Sequence, residues 1–205
     1  EKITHVLTDK TGTLTLGKPR VTSVAPAPGM DKMEFIKLAA SLEQSSEHPL
    51  ARAVVDFAKE SNQPLLKVAD FESVTGSGIK GRIEGKEIYL GKADFLEENG
   101  VVIDGDWRKN ALDWQNKAQT VIWVAADKKL AGILAVADPI KESTPKAIEA
   151  LHAMGLKIIM LTGDNKATAE AIAKVLKIDQ AIAELKPQDK QRIVKELKAE
   201  GAVIL

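Results

Sequence analysis

Cysteine is absent from the 205 residues, which excludes disulfides and thiolate metal sites and fits a reducing compartment. No apolar run approaches the roughly 20 residues needed to cross a bilayer, and no signal-peptide pattern opens the chain. Neither sign of charge is in excess, since 29 Lys and Arg face 29 Asp and Glu; this argues against a general binder of nucleic acid or other polyanions. The three histidines, His5, His48 and His152, are scattered and give no metal-ligand spacing. No G-x-x-x-x-G-K-[ST] sequence occurs, which excludes a P-loop mechanism.

What is present suits a soluble protein with a sizeable core: 44% of residues are hydrophobic and 28% charged, enough for one large domain or two small ones. The chain opens without methionine on an apolar strand and closes on a second apolar run, Gly201 to Leu205. Termini usually lie at the surface, so the expectation is a piece of a longer polypeptide, with a functional segment following Leu205.

The hydrophobic period changes twice along the chain. Ile3 to Leu7 reads as a short buried strand, Val21 to Val24 as an extended segment, and Asp31 as the cap of a helix with apolar positions from Met33 to Leu42. A second helix is expected to start near Pro49. From Phe71 to Leu90 the period drops toward two, with a tight turn at Gly76-Ser77-Gly78 and a hairpin at Glu84-Gly85-Lys86. Two short helices and a strand pair, Thr120 to Ala125 and Leu130 to Val136, complete an α+β region. After Asp138-Pro139 helices and strands alternate. Ser143 is the expected cap of a helix to Met154, Lys157 to Leu161 is a buried strand, and Lys166 to Leu176, Ala181 to Ala183, Pro187 to Ala199 and Ala202 to Leu205 follow. That alternation predicts a parallel sheet with crossover helices, into which the opening strand fits. The predicted architecture is therefore α/β: a Rossmann-type parallel sheet formed by residues 1–20 and 133–205, split by an inserted α+β domain, residues 21–132, with an antiparallel sheet.

Chemistry in a parallel α/β sheet sits beyond the carboxyl ends of its strands. Asp9 occupies that position, and a carboxylate there can act as a nucleophile or hold a divalent cation; an Asx-turn closing the strand is the alternative. Thr11, two residues on, can face the same group, but a threonine cannot act efficiently as general acid or base toward water. A phosphoenzyme formed at Asp9 is thus expected to persist until something else positions water. Thr162 ends another strand just before a helix, where its hydroxyl and the Gly163 N–H can donate to phosphoryl oxygens; helix capping by Asp164 or Asn165 is the alternative. Lys186, before the next helix, offers a point charge.

In the middle region Glu43 ends a helix, and its carboxylate can accept from an exocyclic amine. His48 offers a flat face and a donor–acceptor edge suited to adenine. Gly76 and Gly78 satisfy G-x-G-x-x-G, but the hairpin context rejects a dinucleotide-binding reading; a glycine turn still permits close approach of a nucleotide.

These segments resemble the catalytic region of P-type ATPases, within the haloacid dehalogenase-like superfamily. Asp9-Lys10-Thr11-Gly12-Thr13-Leu14-Thr15 matches the whole DKTGTLT phosphorylation motif, Thr162-Gly163-Asp164 the TGD motif, and Lys186-Pro187 with Lys190 the segment of the phosphate-binding lysine. Asp138-Pro139 matches a DP element near the hinge. Ser46-Glu47-His48-Pro49-Leu50 resembles the SEHPL signature of heavy-metal pumps, especially the copper-transporting branch. The resemblance implies a phosphorylation domain split by a nucleotide-binding domain, with Asp9 phosphorylated by ATP. It implies Mg²⁺ handled by Asp9 and Thr11, catalytic roles for Lys10, Thr162, Gly163, Asp164 and Lys186, and an ATP pocket involving Glu43, Glu47, His48, Gly76 and Gly78. Membrane-spanning and actuator domains of the same polypeptide would be the partners, the transported ion being bound elsewhere, Cu⁺ or alternatively Zn²⁺/Cd²⁺. The region itself would be soluble, monomeric and on the cytoplasmic side. Members of the family continue with a GDGxND segment completing the Mg²⁺ site, so weak or absent autophosphorylation is expected without it. A haloacid dehalogenase-like phosphatase with a substrate cap is the alternative enzyme, and a nucleotide-binding module without turnover the non-enzymatic one.

Overall fold

The computed structural model describes residues 3–48, 50–186, 189–199 and Val203. The chain divides into two compact units, Glu1–Lys18 with Gln115–Ala118 and Asp138–Leu205, and Pro19–Trp114 with Gln119–Ala137. The crossings fall at Lys18/Pro19 and Ala137/Asp138, whereas the sequence pattern predicts them at 20/21 and 132/133. The return comes late because the strand Lys129–Ala137 runs on in the second unit's sheet to its last residue.

In the first unit, β1 (His5–Asp9), β8 (Lys157–Leu161) and β9 (Gln180–Ile182) form a parallel sheet in the order β1-β8-β9. β8 is buried from Ile158 through Leu161, which is why its sequence is a continuous apolar run rather than an alternating one. Pairing of His5 with Lys157 through Asp9 with Leu161 brings β1 and β8 to an end side by side. Beside β1, the Thr4 and His5 N–H groups donate to the Val203 carbonyl (2.9 and 3.1 Å); the rest of the expected Ala202–Leu205 strand lies outside the described residues.

Helices α5 (Thr144–Ala153) and α6 (Lys166–Leu176) pack Ile148, Ala169, Ile172 and Leu176 onto Ile158 and Met160. Asn165 caps α6, its side chain accepting the Thr168 N–H at 2.9 Å. Ser143 does not cap α5: its backbone is helical and its side chain makes no cap bond. α7 (Asp189–Ala199) sets Ile193 against Ile159 and Leu161. Pro187 and the side chain of Lys190, both singled out from sequence, lie outside the described residues.

The second unit is an antiparallel sheet in the order β2-β7-β6-β5-β4-β3, made of β2 (Arg20–Pro26), β3 (Ala69–Val74), β4 (Gly78–Ile83), β5 (Lys86–Gly91), β6 (Thr120–Ala126) and β7 (Lys129–Ala137). Strand alternation splits its side chains between two cores. Ile122, Val124, Leu134 and Val136 face α1 (Lys32–Glu43) and α2 (Ala51–Glu60). Val121, Trp123, Ala125 and Ile133 face Phe95 and Leu96 of α3 (Ala93–Glu98) and Ala111 of α4 (Gly105–Gln115). Asp31 caps α1, accepting the Met33 and Glu34 N–H groups at 2.9 and 3.0 Å. The Pro49 start expected for α2 lies outside the described residues. Among the described residues no helix is long and apolar enough to cross a membrane.

Candidate functional site

Two constellations emerge, one in each unit. In the first, β1 delivers Asp9, and β8 delivers Thr162 one residue beyond the partner of Asp9. After Asp9 the chain makes a wide turn, Lys10–Leu14, closed by the Thr15 N–H on the Lys10 carbonyl at 3.1 Å. Gly12 supplies the left-handed residue this turn requires, at φ +78°. Thr11, Gly12 and Thr13 are exposed, while Lys10 turns inward and is buried.

The Lys10 ammonium lies 2.7 Å from Asp164 Oδ2. The contact is an ion pair rather than a directed hydrogen bond, because among the described residues no donor meets that oxygen at hydrogen-bonding angles. It ties the turn after β1 to the turn after β8. Buried Thr162 donates its N–H to the Ile182 carbonyl (3.0 Å) and accepts the Leu185 N–H (3.1 Å) on its own carbonyl. Its hydroxyl accepts the Asp164 N–H at 3.1 Å, which leaves the hydroxyl proton available to a ligand. Glu184 N–H bonds the Asp164 carbonyl (2.8 Å), so the segment leading to exposed Lys186 is laid along Thr162-Gly163-Asp164. Asp9 ends β1, and the other six catalytic candidates read from sequence fall on three adjoining loops.

These loops bring together a carboxylate, neutral donors and cations, groups that suit phosphoryl transfer. Asp164 is committed to Lys10, and among the described residues no group of three or more His, Asp or Glu side chains is placed to hold a metal. Of the expected ligands, Asp9 brings one carboxylate and Thr11 none; Mg²⁺ is usually held by one or two carboxylates together with waters and substrate phosphates.

The second constellation begins at the end of α1. Glu43 is buried, with Oε2 lacking a hydrogen-bond partner among the described residues. Burial pushes its carboxyl up from 4.5 to about 7, against the opposing effect of a hydrogen bond from Ser46. The Ser46 hydroxyl in turn accepts the His48 N–H at 3.2 Å. The Leu50 N–H, which can only donate, points at His48 Nδ1 (3.2 Å), so the neutral ring carries its proton on Nε2. Desolvation pushes the imidazole below its ordinary value, in the same direction. Glu43, Ser46 and His48 therefore form one hydrogen-bonded chain; Ser46 is not among the candidates read from sequence, although its place three residues after Glu43 is a signal. Glu47 is exposed and, among the described residues, is not joined to that chain.

Gly76 has φ +76° and turns β3 into β4. Gly78 is needed for packing: a Cβ there would fall 2.4 Å from the Phe95 ring and 2.5 Å from the Leu90 carbonyl. Leu42, the neighbour of Glu43, packs on β4 so closely that a Cβ at Gly81 would meet it at 2.9 Å.

A carboxylate at the carboxyl end of a parallel sheet, with TGD-type donors beside it and an inserted antiparallel domain, is the arrangement of a haloacid dehalogenase-like protein. The haloacid dehalogenase-like hydrolase profile matches residues 3–205. The probable copper-transporting ATPase PacS of Synechocystis sp. is 41% identical over 209 residues, which take in 100% of this chain and 28% of that protein. A zinc-transporting PIB-type ATPase in its E2.Pi state is 35% identical with a TM-score of 0.73, covering 99% of this chain and 32% of that one. The catalytic CPx-ATPase domain CopB-B is 31% identical with a TM-score of 0.68, covering 99% of this chain and 69% of that one. The chain belongs to the haloacid dehalogenase-like hydrolase family, on its P-type ATPase branch. It spans 21–28% of the length of the curated relatives.

Proposed function

We propose that this chain is the ATP-binding and phosphorylation region of a heavy-metal pump, and that Asp9 is the residue phosphorylated. The observation that carries the reading is the common ending of β1 and β8, with Lys10 and Asp164 locking the two following turns together. An Asp9 oxygen attacks the γ-phosphorus of ATP, the bond from that phosphorus to the β,γ-bridging oxygen breaks, and ADP leaves with the electron pair. Thr162 and Gly163 donate to the phosphoryl oxygens and Lys186 offsets their charge. Thr11 supplies no carboxyl group to activate water, so hydrolysis of the acyl phosphate awaits another domain of the parent. That distinguishes the pump from the phosphatase reading, since rapid dephosphorylation favours a second carboxyl group at this position.

In the second unit, neutral His48 faces adenine and Glu43 accepts from its exocyclic amine, with Ser46 holding the two in register. The names of the relatives favour Cu⁺ as the transported ion, with Zn²⁺/Cd²⁺ the alternative; the region would act on the cytoplasmic side of the membrane. Calorimetric titration of the chain with ATP tests the nucleotide site: His48→Ala is expected to weaken binding about tenfold or more, and unchanged affinity would refute it. In the parent pump, acid-stable label from γ-labelled ATP is expected to vanish in Asp9→Asn.

A further inference from the structure

The turn that presents Asp9 is held from outside by residues 138–144. Its buried keystone is Thr15, which is 0% exposed. The Thr15 hydroxyl accepts the Gly12 N–H at 3.2 Å and lies 2.5 Å from Asp138 Oδ2, the stronger acceptor for its single proton. The Lys10 carbonyl, 3.1 Å from the same hydroxyl, already receives the Thr15 N–H. Asp138 Oδ1 accepts the Lys18 N–H at 3.0 Å, so both carboxylate oxygens are engaged. On the other side of Gly12, the Lys141 ammonium donates to its carbonyl at 2.7 Å. Three further bonds run between the segments: Leu16 N–H to the Pro139 carbonyl (2.8 Å), Lys141 N–H to the Leu14 carbonyl (3.0 Å) and the Thr144 hydroxyl to the same Leu14 carbonyl (2.8 Å).

The last three bonds fasten the end of the turn. The bonds to Gly12 act where the motif is exposed and its backbone left-handed. A carboxylate only accepts hydrogen bonds, so Asp138 fixes the direction of the Thr15 proton and leaves a lone pair for the Gly12 N–H. An amide at 138 can rotate its NH₂ toward Thr15 and reverse that order.

We propose that Asp138, acting through Thr15, and Lys141, acting on the Gly12 carbonyl, are positioning residues for phosphoryl transfer. Together they hold the Thr11–Gly12 and Gly12–Thr13 peptides and thereby fix Thr11 relative to the group received by Asp9. The proposal rests on the reading of Asp9 as phospho-acceptor.

Amide exchange and ¹⁵N resonances of the chain test the geometry without any turnover. Thr15→Val is expected to speed exchange at the Gly12 N–H about 10- to 100-fold, with the Met160 and Leu161 amides unchanged and protection restored in Thr15→Ser. Asp138→Asn is expected to speed Gly12 exchange without moving the core amides. Lys141→Met is expected to shift the Thr13 ¹⁵N resonance, because that nitrogen shares a peptide plane with the Gly12 carbonyl. Should Thr15→Val not fold, Lys141→Met decides the point. Unchanged Gly12 exchange in Thr15→Val, equal acceleration at Gly12 and Met160, or an unmoved Thr13 resonance in Lys141→Met would overturn the proposal. In the parent pump Thr15→Val and Asp138→Asn are expected to slow Asp9 labelling about tenfold at saturating ATP, with half-saturation unchanged. Unaltered rates would refute positioning, whereas an unlabelled unsubstituted pump would refute the phospho-acceptor reading instead.

Discussion

Glu43→Gln should make the second unit more stable in alkaline solution and leave it unchanged in acid. Glu43 is 4% exposed and lacks a partner on Oε2 among the described residues, and burial raises its carboxyl from 4.5 to about 7. A folded-state value above the unfolded one contributes stability that is fully present below 4.5 and lost as pH rises through about 7. The displacement corresponds to about 3 kcal/mol at most. The amide of the variant has no ionisation to lose. The difference between the two proteins should be small near pH 4 and approach that value above about pH 8, or on the order of 10 °C in midpoint. Trp107, Trp114 and Trp123, the three tryptophans of the chain, all lie in the second unit, so their fluorescence follows its unfolding selectively. Thermal and urea transitions at pH 4, 6 and 8.5 provide the comparison. Parallel pH profiles for the two proteins would refute the reasoning, because they would mean that Glu43 does not change its ionisation on folding.

Other substitutions probe the first unit. Asp164→Ala strands the buried Lys10 ammonium; allowing for the partial exposure of Asp164, a loss of about 2–3 kcal/mol is expected in urea unfolding followed by far-ultraviolet circular dichroism. Asp164→Ala combined with Lys10→Met should recover most of that loss, and no recovery would place the cost elsewhere. Thr168, 2% exposed on α6, has a buried hydroxyl with no partner among the described residues. Thr168→Val is therefore expected to stabilise by about 1 kcal/mol in the same measurement, and a loss of that size would show the hydroxyl to be satisfied.

The elements were legible in the sequence because their signals are local. The uninterrupted apolar run Ile158 to Leu161 marks a strand covered on both faces, and Asp31 and Asn165 mark helix starts that their side chains do cap. Asp9 could be placed at a strand end from the run before it. Other features depend on residues far apart in the chain. Ser143 looked like a cap, yet α5 begins without one, and the neighbouring Thr144 spends its hydroxyl on Leu14, 130 residues earlier. The return from the insertion was misplaced because β7 stays apolar and paired through Ala137, with no composition change at 133. Gly78 fitted a nucleotide motif, but the Phe95 ring gives it a packing reason that spacing does not reveal.

The same division explains why Asp138 and Ser46, though both fall in motifs, carry no supporting role in the sequence alone. A motif names the groups that meet a ligand; the groups that hold them need only be near in space. Asp138 is 123 residues from Thr15, and the intervening unit separates them in sequence. Ser46, by contrast, lies within the SEHPL segment, where a serine after a helix reads as a turn residue. Its place between the Glu43 carboxyl and the His48 N–H makes it testable as a support rather than a contact. Ser46→Ala removes a hydrogen bond that opposes the effect of burial on Glu43, so it should move that carboxyl further up. The midpoint of the pH-dependent stability loss would rise with it. A midpoint that stayed in place would mean that Ser46 does not hold Glu43, and the chain from Glu43 to His48 would be broken at its centre.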